Sequence, residues 1–569
     1  MAAGVAQILL FCGLVCACVP LLGGHMARVY RGEHTFLEPI AGPLERVTYR
    51  LLRIDPQQGQ DWKAYARSLI AFSLVGWLAL LLILRTQTLH PLNPQGFHSP
   101  TWDVSFNNVS SFVTNTNWQY YGGETTMSYF SQMAGLAVQN FLSAAVGVAV
   151  AVAFIRGLVA RKTAAGPALG NFWQDLVRTT YYVLLPISIV AAIVLVSQGT
   201  LQTLGATVSG IARGPVASQE AIKELGTNGG GFFNVNSAFP FENPTGLSNF
   251  VEMFLIVCIP ASMTYTYGRM VGSRRQGWAI FAAMGALFLA SVAIIYVAEL
   301  SPTAAQHAAG IAGANFEGKD LRFGISGSAL WTALTTVTSC GAVNAALESL
   351  TPIGGLVPMI NLGYGESVFG GVGTGLYTML LYVLLAVFIG GLMVGRTPEF
   401  LGKKIEPHEI RLVTAGVLVT PLTVLLGAGA ALATKYGAPS ISASGPQGFS
   451  EMLYAYLTQA NNNGSAFAGY TGYDQPEPGN IGAHGITFAD VLGGLAMLGG
   501  RFLPIVLVLA VAGALASKRV TPAGLGTLRT DTPTFVVLLV GVVILIGALT
   551  FFPAFLLGPV AQGLTERLF

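Results

Sequence analysis

Apolar positions run along this chain in long unbroken blocks. They show neither the alternation of a half-buried strand nor the narrow stripe of a soluble helix. Ten blocks are almost free of charge and predict helices near 5–24, 68–84, 133–155, 179–197, 253–267, 278–298, 367–394, 412–434, 491–517 and 535–557. Each suits a bilayer core, which takes roughly 20 residues of helix. The connections after the second, fourth, sixth and eighth blocks are long and alike in layout. Each holds a short half-polar segment, at 104–112, 216–225, 328–337 and 451–460. A cluster of small polar residues follows each segment. The clusters are Val113-Thr114-Asn115-Thr116-Asn117, Thr227-Asn228-Gly229-Gly230-Gly231, Thr338-Ser339-Cys340-Gly341 and Asn461-Asn462-Asn463-Gly464.

The spacing repeats. Asn117, Gly230, Gly341 and Gly464 stand 113, 111 and 123 residues apart, and each cluster leads to an apolar block that ends on Arg156, Arg269, Arg396 or Lys518. The unit is helix, short helix, cluster, helix, four times over. Its expected bounds are 67–156, 178–270, 277–396 and 411–519. Residues 1–66 add a helix and an inner loop before it, and 520–569 a helix after it.

A segment too short to span must re-enter, and its unpaired backbone must lie within protein or line water. The C-terminal end of such a helix carries partial negative charge and faces the cluster. Glycine lets the backbone that follows turn its carbonyls inward. Four copies around one axis would form a ring of carbonyl oxygens able to replace an ion's hydration shell. The clusters lack carboxylates, which favours a monovalent cation over calcium or magnesium. A single Gly-Gly-Gly or Asn-rich run reads equally as a plain turn; four at matching positions do not.

Composition agrees with a membrane protein: 53% of the 569 residues are hydrophobic and 10% charged. A net charge of +3 gives no reason to expect nucleic acid. The five cysteines form no metal or disulfide pattern. Charge also orients the chain. With both termini outside, 21 of the 29 Lys and Arg fall in inner loops, and seven outside, among them Lys223, Lys319, Arg322 and Arg567. The first block has no cation before it, while Arg28 and Arg31 follow, so it reads as a retained helix rather than a cleaved signal.

The remaining cation, Arg501, lies inside a predicted span, where charge is costly and usually functional; the plainer reading is a snorkelling arginine. Glu366, expected at the start of the third unit's second helix, is its candidate partner. Glu252 and Glu299 lie at span borders and are expected at the interface. Gly-Gly-Val-Gly-Thr-Gly at 370–375, with Gly371 and Gly373, predicts a break or kink below the clusters, since clustered glycine weakens a helix. No phosphorylation motif or P-loop is present, so any energy comes from a partner or a gradient.

TNTNWQ at 114–119, with Gln119, TNGGGFFN at 227–234, TSCGAVN at 338–344 and NNNGSAFAG at 461–469 resemble the four filter segments of the KdpA family, the potassium-binding subunits of Kdp-type potassium-transporting ATPases. NFEGKDLRFG at 315–324 and GRTPEFLGKK at 395–404 resemble further signatures of that family. The resemblance covers essentially the whole chain. It implies an all-α membrane protein of the potassium-transporter superfamily, with ten transmembrane helices and four M1-P-M2 units around one ion path. It implies potassium as the ion and the bacterial inner membrane, with its lipids, as the location. As partners it implies a P-type ATPase subunit, a single-span accessory subunit and a small membrane peptide. The third unit's second helix would be broken and help to gate the exit, and Glu366 and Arg501 would lie on the cytoplasmic side of the filter. This chain would be non-catalytic. The first cluster has no glycine, as in the family. The loop 470–487 is longer than usual there; it is expected outside and has no assigned role. A stand-alone potassium channel or ion-coupled transporter with the same core is the alternative. A membrane enzyme is disfavoured by the lack of a paired acid–base or metal set.

Overall fold

The structure, a computed structural model, describes residues 2–160, 168–393, 395, 397–472, 488–521 and 527–564. Arg161, Lys162, Arg396, Arg567 and the part of the long 470–487 loop at 473–487 lie outside the described residues. Among those described, ten helices are long and apolar enough to cross a membrane. They are Ala2–Arg31, Trp62–Arg85, Ser131–Val159, Phe172–Gln198, Gly246–Met270, Arg274–Glu299, Thr374–Met393, Pro407–Leu432, Phe488–Ala516 and Pro533–Gly563. Each falls on a predicted block. Local signals set their ends: Asp61 Oδ1 accepts from Ala64 N at 2.7 Å, and Thr245 and Ser248 cap each other's backbone at the start of Gly246–Met270.

Ser131–Val159 and Gly246–Met270 are buried along most of their length, whereas Ala2–Arg31 and Trp62–Arg85 turn leucines outward. The inner helices therefore form the core, and the outer ones present an apolar face suited to lipid. Helix Glu38–Leu52 exposes Ile40, Val47 and Leu51 beside Arg46 and Arg50, a pattern suited to a membrane surface.

Three expectations are corrected. The block 367–394 is not helical from its start. Helix Pro352–Gly363 comes first, then an irregular stretch, then Thr374–Met393. Gly365, Glu366, Phe369 and Gly373 have φ of 67°, 55°, 47° and 90°, which a right-handed helix cannot contain. Glu366 thus sits inside the break rather than at a helix start. The other two corrections concern Glu252 and Glu299, which are fully buried and not interfacial. Glu299 is a hub: it accepts from Thr351 N and Asn315 Nδ2, each at 2.8 Å, and pairs with Lys319 at 2.7 Å. Asn315 and Lys319 belong to the 315–324 motif, so that motif moors its own loop to a helix end. Arg322, in the same motif, donates to the carbonyls of Asn243 and Pro244.

The 395–404 motif builds a small hairpin, Glu399–Phe400 against Lys403–Lys404, turned by Leu401 and Gly402 at positive φ. It places the buried Lys403 ammonium on two helix ends. Nζ donates to Gly157 O at 2.9 Å and Leu515 O at 2.8 Å, the C-terminal turns of Ser131–Val159 and Phe488–Ala516. Those ends carry partial negative charge, and the lysine neutralises both.

Candidate functional site: the four clusters and the break beneath them

Four short helices end at the four clusters: Trp102–Val113, Val216–Leu225, Gly324–Val337 and Gly445–Ala460. Beyond each end the backbone repeats one conformation. Asn115, Thr227, Ser339 and Asn462 have φ of 68°, 49°, 49° and 50°. Two residues later Asn117, Gly229, Gly341 and Gly464 have φ of 55°, 87°, 96° and 94°. Left-handed residues alternating with ordinary ones turn successive carbonyls to the same side of an extended stretch, which a regular strand, whose carbonyls alternate, cannot do. The match shows that the partner of Asn117 is Gly229, not Gly230. Three consecutive glycines look alike in sequence, so spacing alone matches Asn117 to Gly230.

The clusters abut in order. A Cβ on Gly229 would overlap the carbonyl oxygen of Cys340; one on Gly341, that of Asn463; one on Gly464, that of Thr116. A Cβ on Gly230 would strike Asn117 O. At Gly229, Gly341 and Gly464 glycine is required twice over, for φ and for this close approach, and at Gly230 for the approach alone.

Side chains brace the ring from behind. Asn115 Nδ2 donates to Thr227 O at 2.9 Å, and Asn228 Nδ2 to Asn115 Oδ1 at 2.6 Å. Asn462 Nδ2 reaches Thr116 Oγ1 at 2.8 Å, and Asn463 Nδ2 reaches Thr335 O at 2.7 Å. Asn117, the side chain where the other units have glycine, turns to Asn140 Oδ1 at 2.8 Å. Thr114 and Thr338 return their hydroxyls to their own helices. Val113 ends the first short helix and packs in a small apolar cluster with Phe112. Gln119 exchanges hydrogen bonds with the backbone of Gly231. The asparagines therefore act as struts between units, a role that sequence reasoning did not assign.

Above the ring lies a cavity of about 550 Å³, lined by residues at the ends of all four clusters and just beyond them, including Gln119, Gly230, Gly341 and Gly464. Among the described residues, no charged side chain lines it.

Below the ring lies the break. Val372 N donates to Thr227 Oγ1 at 2.9 Å. Gly371 sits beside that hydroxyl and the Thr338 carbonyl, and a Cβ there would meet only ordinary contacts. Gly373 is different: its φ is 90°, and a Cβ would overlap Gly147 O. Arg501 stands next to the break and is buried. Its Nη1 donates to Thr374 Oγ1 at 2.7 Å and lies 3.9 Å from Glu366 Oε2. It does not snorkel. Arg501, Glu366, Asn461 and Asn462 share a cavity of about 20 Å³, so the charged pair borders the fourth cluster on the side of the break.

A family model described as "Potassium-transporting ATPase A subunit" matches residues 9–564. The chain is 52% identical to the potassium-transporting ATPase potassium-binding subunit of Solibacter usitatus, covering 98% of this chain and 97% of that one. It is 51% identical to the protein of the same name from Rhizobium rhizogenes, with 99% and 98% covered. In fold it is similar to the crystal structure of the potassium transporter TrkH from Vibrio parahaemolyticus. The TM-score is 0.52 at 13% identity, over 78% of this chain and 84% of that one. With its ten apolar spans it is a multi-pass membrane protein. Over nearly its whole length, the chain belongs to the KdpA family of potassium-transporting ATPase A subunits.

Proposed function

We propose that this chain is the potassium-binding, membrane-embedded subunit of an ATP-driven potassium uptake complex. The units 67–156, 178–270, 277–396 and 411–519 would surround one filter. Potassium would enter through the outer cavity and sit between the backbone carbonyls of Thr114–Asn115, Thr227–Gly229, Ser339–Gly341 and Asn462–Gly464. The observation that carries this reading is the fourfold backbone conformation closed edge to edge at Gly229, Gly341 and Gly464. Such a ring offers fixed oxygens in place of water. The short helices add their negative ends. Among the described residues, the outer cavity has no lysine or arginine to repel a cation.

The chain holds no ATPase motif, so energy would come from a P-type ATPase partner, with a single-span subunit and a small peptide completing the complex. The membrane would be the bacterial inner membrane, with both termini outside. Arg501, paired with Glu366 beneath the filter, would oppose passive flow, and Gly371 and Gly373 would shape the gate.

Titration of the purified protein with potassium and with sodium tests the reading. One saturable site that prefers potassium, weakened at least ten-fold by Gly464→Ala, is the expected result. Equal response to both ions, or an unchanged site in Gly464→Ala, refutes the filter. Purification in mild detergent without a copurifying P-type ATPase refutes the ATP-driven role.

A further inference from the structure

A second group of charges lies behind the second short helix. Glu220 and Glu224 are one turn apart on Val216–Leu225, so their carboxylates share a face. Glu252 approaches from Gly246–Met270. One carboxylate oxygen from each of the three lies within 4.8 Å of the other two, and all three residues are buried. Lys223 serves the group: its Nζ is 2.7 Å from Glu220 Oε2, 2.9 Å from Glu242 Oε2 and 3.8 Å from Glu224 Oε1. Glu252 receives no hydrogen bond on either oxygen among the described residues.

Three buried carboxylates meet the Lys223 ammonium and a fourth, Glu252, lies beside two of them; ionised together they would leave a large excess of negative charge in a water-poor interior. An uncompensated buried charge costs several kcal/mol or so. Convergence of three oxygens from two helices supplies a means of compensation. An ion that binds oxygen at about 2.3–2.6 Å can touch all three at these separations. Carboxylates select hard divalent ions, and calcium tolerates irregular coordination better than magnesium does. Glu220 and Glu224 each keep further lone pairs beside their existing partners.

We propose that Glu220, Glu224 and Glu252 form a second cation site, separate from the four clusters, that takes a divalent ion of the calcium class. Such an ion would clamp the second short helix to the span that follows its cluster. It would also steady the third cluster, because Cys340 Sγ lies 3.4 Å from Glu224 Oε2.

The test uses the purified full-length protein with whatever partners copurify, stripped with EDTA and kept at constant potassium without nucleotide. Calcium chloride is titrated by calorimetry into wild type, Glu252→Gln and Glu224→Gln. Wild type should bind one calcium more than either variant, and calcium should raise its unfolding temperature saturably. A potassium titration on each protein reports that the variants are folded. Equal calcium stoichiometry in all three overturns the site. So does a wild type whose unfolding temperature ignores calcium, which would leave protons as the neutralising ions.

Discussion

Replacing Arg501 with methionine keeps most of the side chain's volume and removes its charge. The structure sets the size of the effect. Arg501 and Glu366 stand 3.9 Å apart and buried, worth about 4 kcal/mol at an effective dielectric near 20. The pair thus remains together, and its field on a filter ion is the difference of two opposing terms. Arg501 borders the same small cavity as Asn462, which puts a filter ion on the order of 8 Å from the guanidinium. Alone, that charge would repel potassium by about 2 kcal/mol, or roughly thirty-fold in occupancy. Glu366 stays behind unpaired, so the variant loses the whole of this term and Arg501→Met should raise passive flux by up to about thirty-fold. Glu366→Gln should act in the opposite direction, because it leaves the arginine unshielded. The assay is passive potassium flux into proteoliposomes, with and without ATP. If Arg501→Met leaks no more than wild type, or if both variants shift flux the same way, the electrostatic barrier is wrong. Arg501 would then be a packing residue held by Thr374.

Gly229→Asp puts a Cβ against the Cys340 carbonyl at a φ of 87°. Competition uptake should show weaker potassium affinity and poorer discrimination against other cations, with assembly retained. Gly373→Ala meets the Gly147 carbonyl at positive φ and should disturb the break, whereas Gly371→Ala should behave as wild type in the same flux assay. Thr227→Val strands the buried Val372 N–H, at a cost of about 1–3 kcal/mol, and should raise basal flux without lowering expression. Lys403→Met removes an ammonium from two helix ends. It should destabilise the protein by about 1–3 kcal/mol, read as a lower unfolding temperature with unaltered ion preference.

Much of the architecture was legible because lipid imposes a plain requirement. Every span needs a long apolar block, and ten such blocks found their helices. The short helices were legible for the opposite reason: apolar segments such as 328–337 are too short to cross and end in small polar residues. The break before Thr374 was half visible. Its glycines announced weakness, but Val368, Phe369 and Val372 kept the hydropathy of a helix, so the block appeared continuous to 367. Hydropathy also could not tell that Glu252 and Glu299 point inward, because their neighbours come from 220–224 and 315–351. The partner of Asn117 was missed by one residue since only backbone dihedrals separate Gly229 from Gly230. The asparagine struts had no sequence signal at all, because the same residue type also makes turns.

The ring is closed by four different segments of a single chain. In a filter assembled from identical subunits, every substitution appears four times and the ring stays symmetric by necessity. Here each quadrant can drift alone. Asn117 already shows the outcome: a side chain stands where three glycines stand elsewhere, accommodated by Asn140 on its own side. Selectivity in the proposed filter would then be adjustable in quarter steps, and changing one quadrant at a time measures what each contributes.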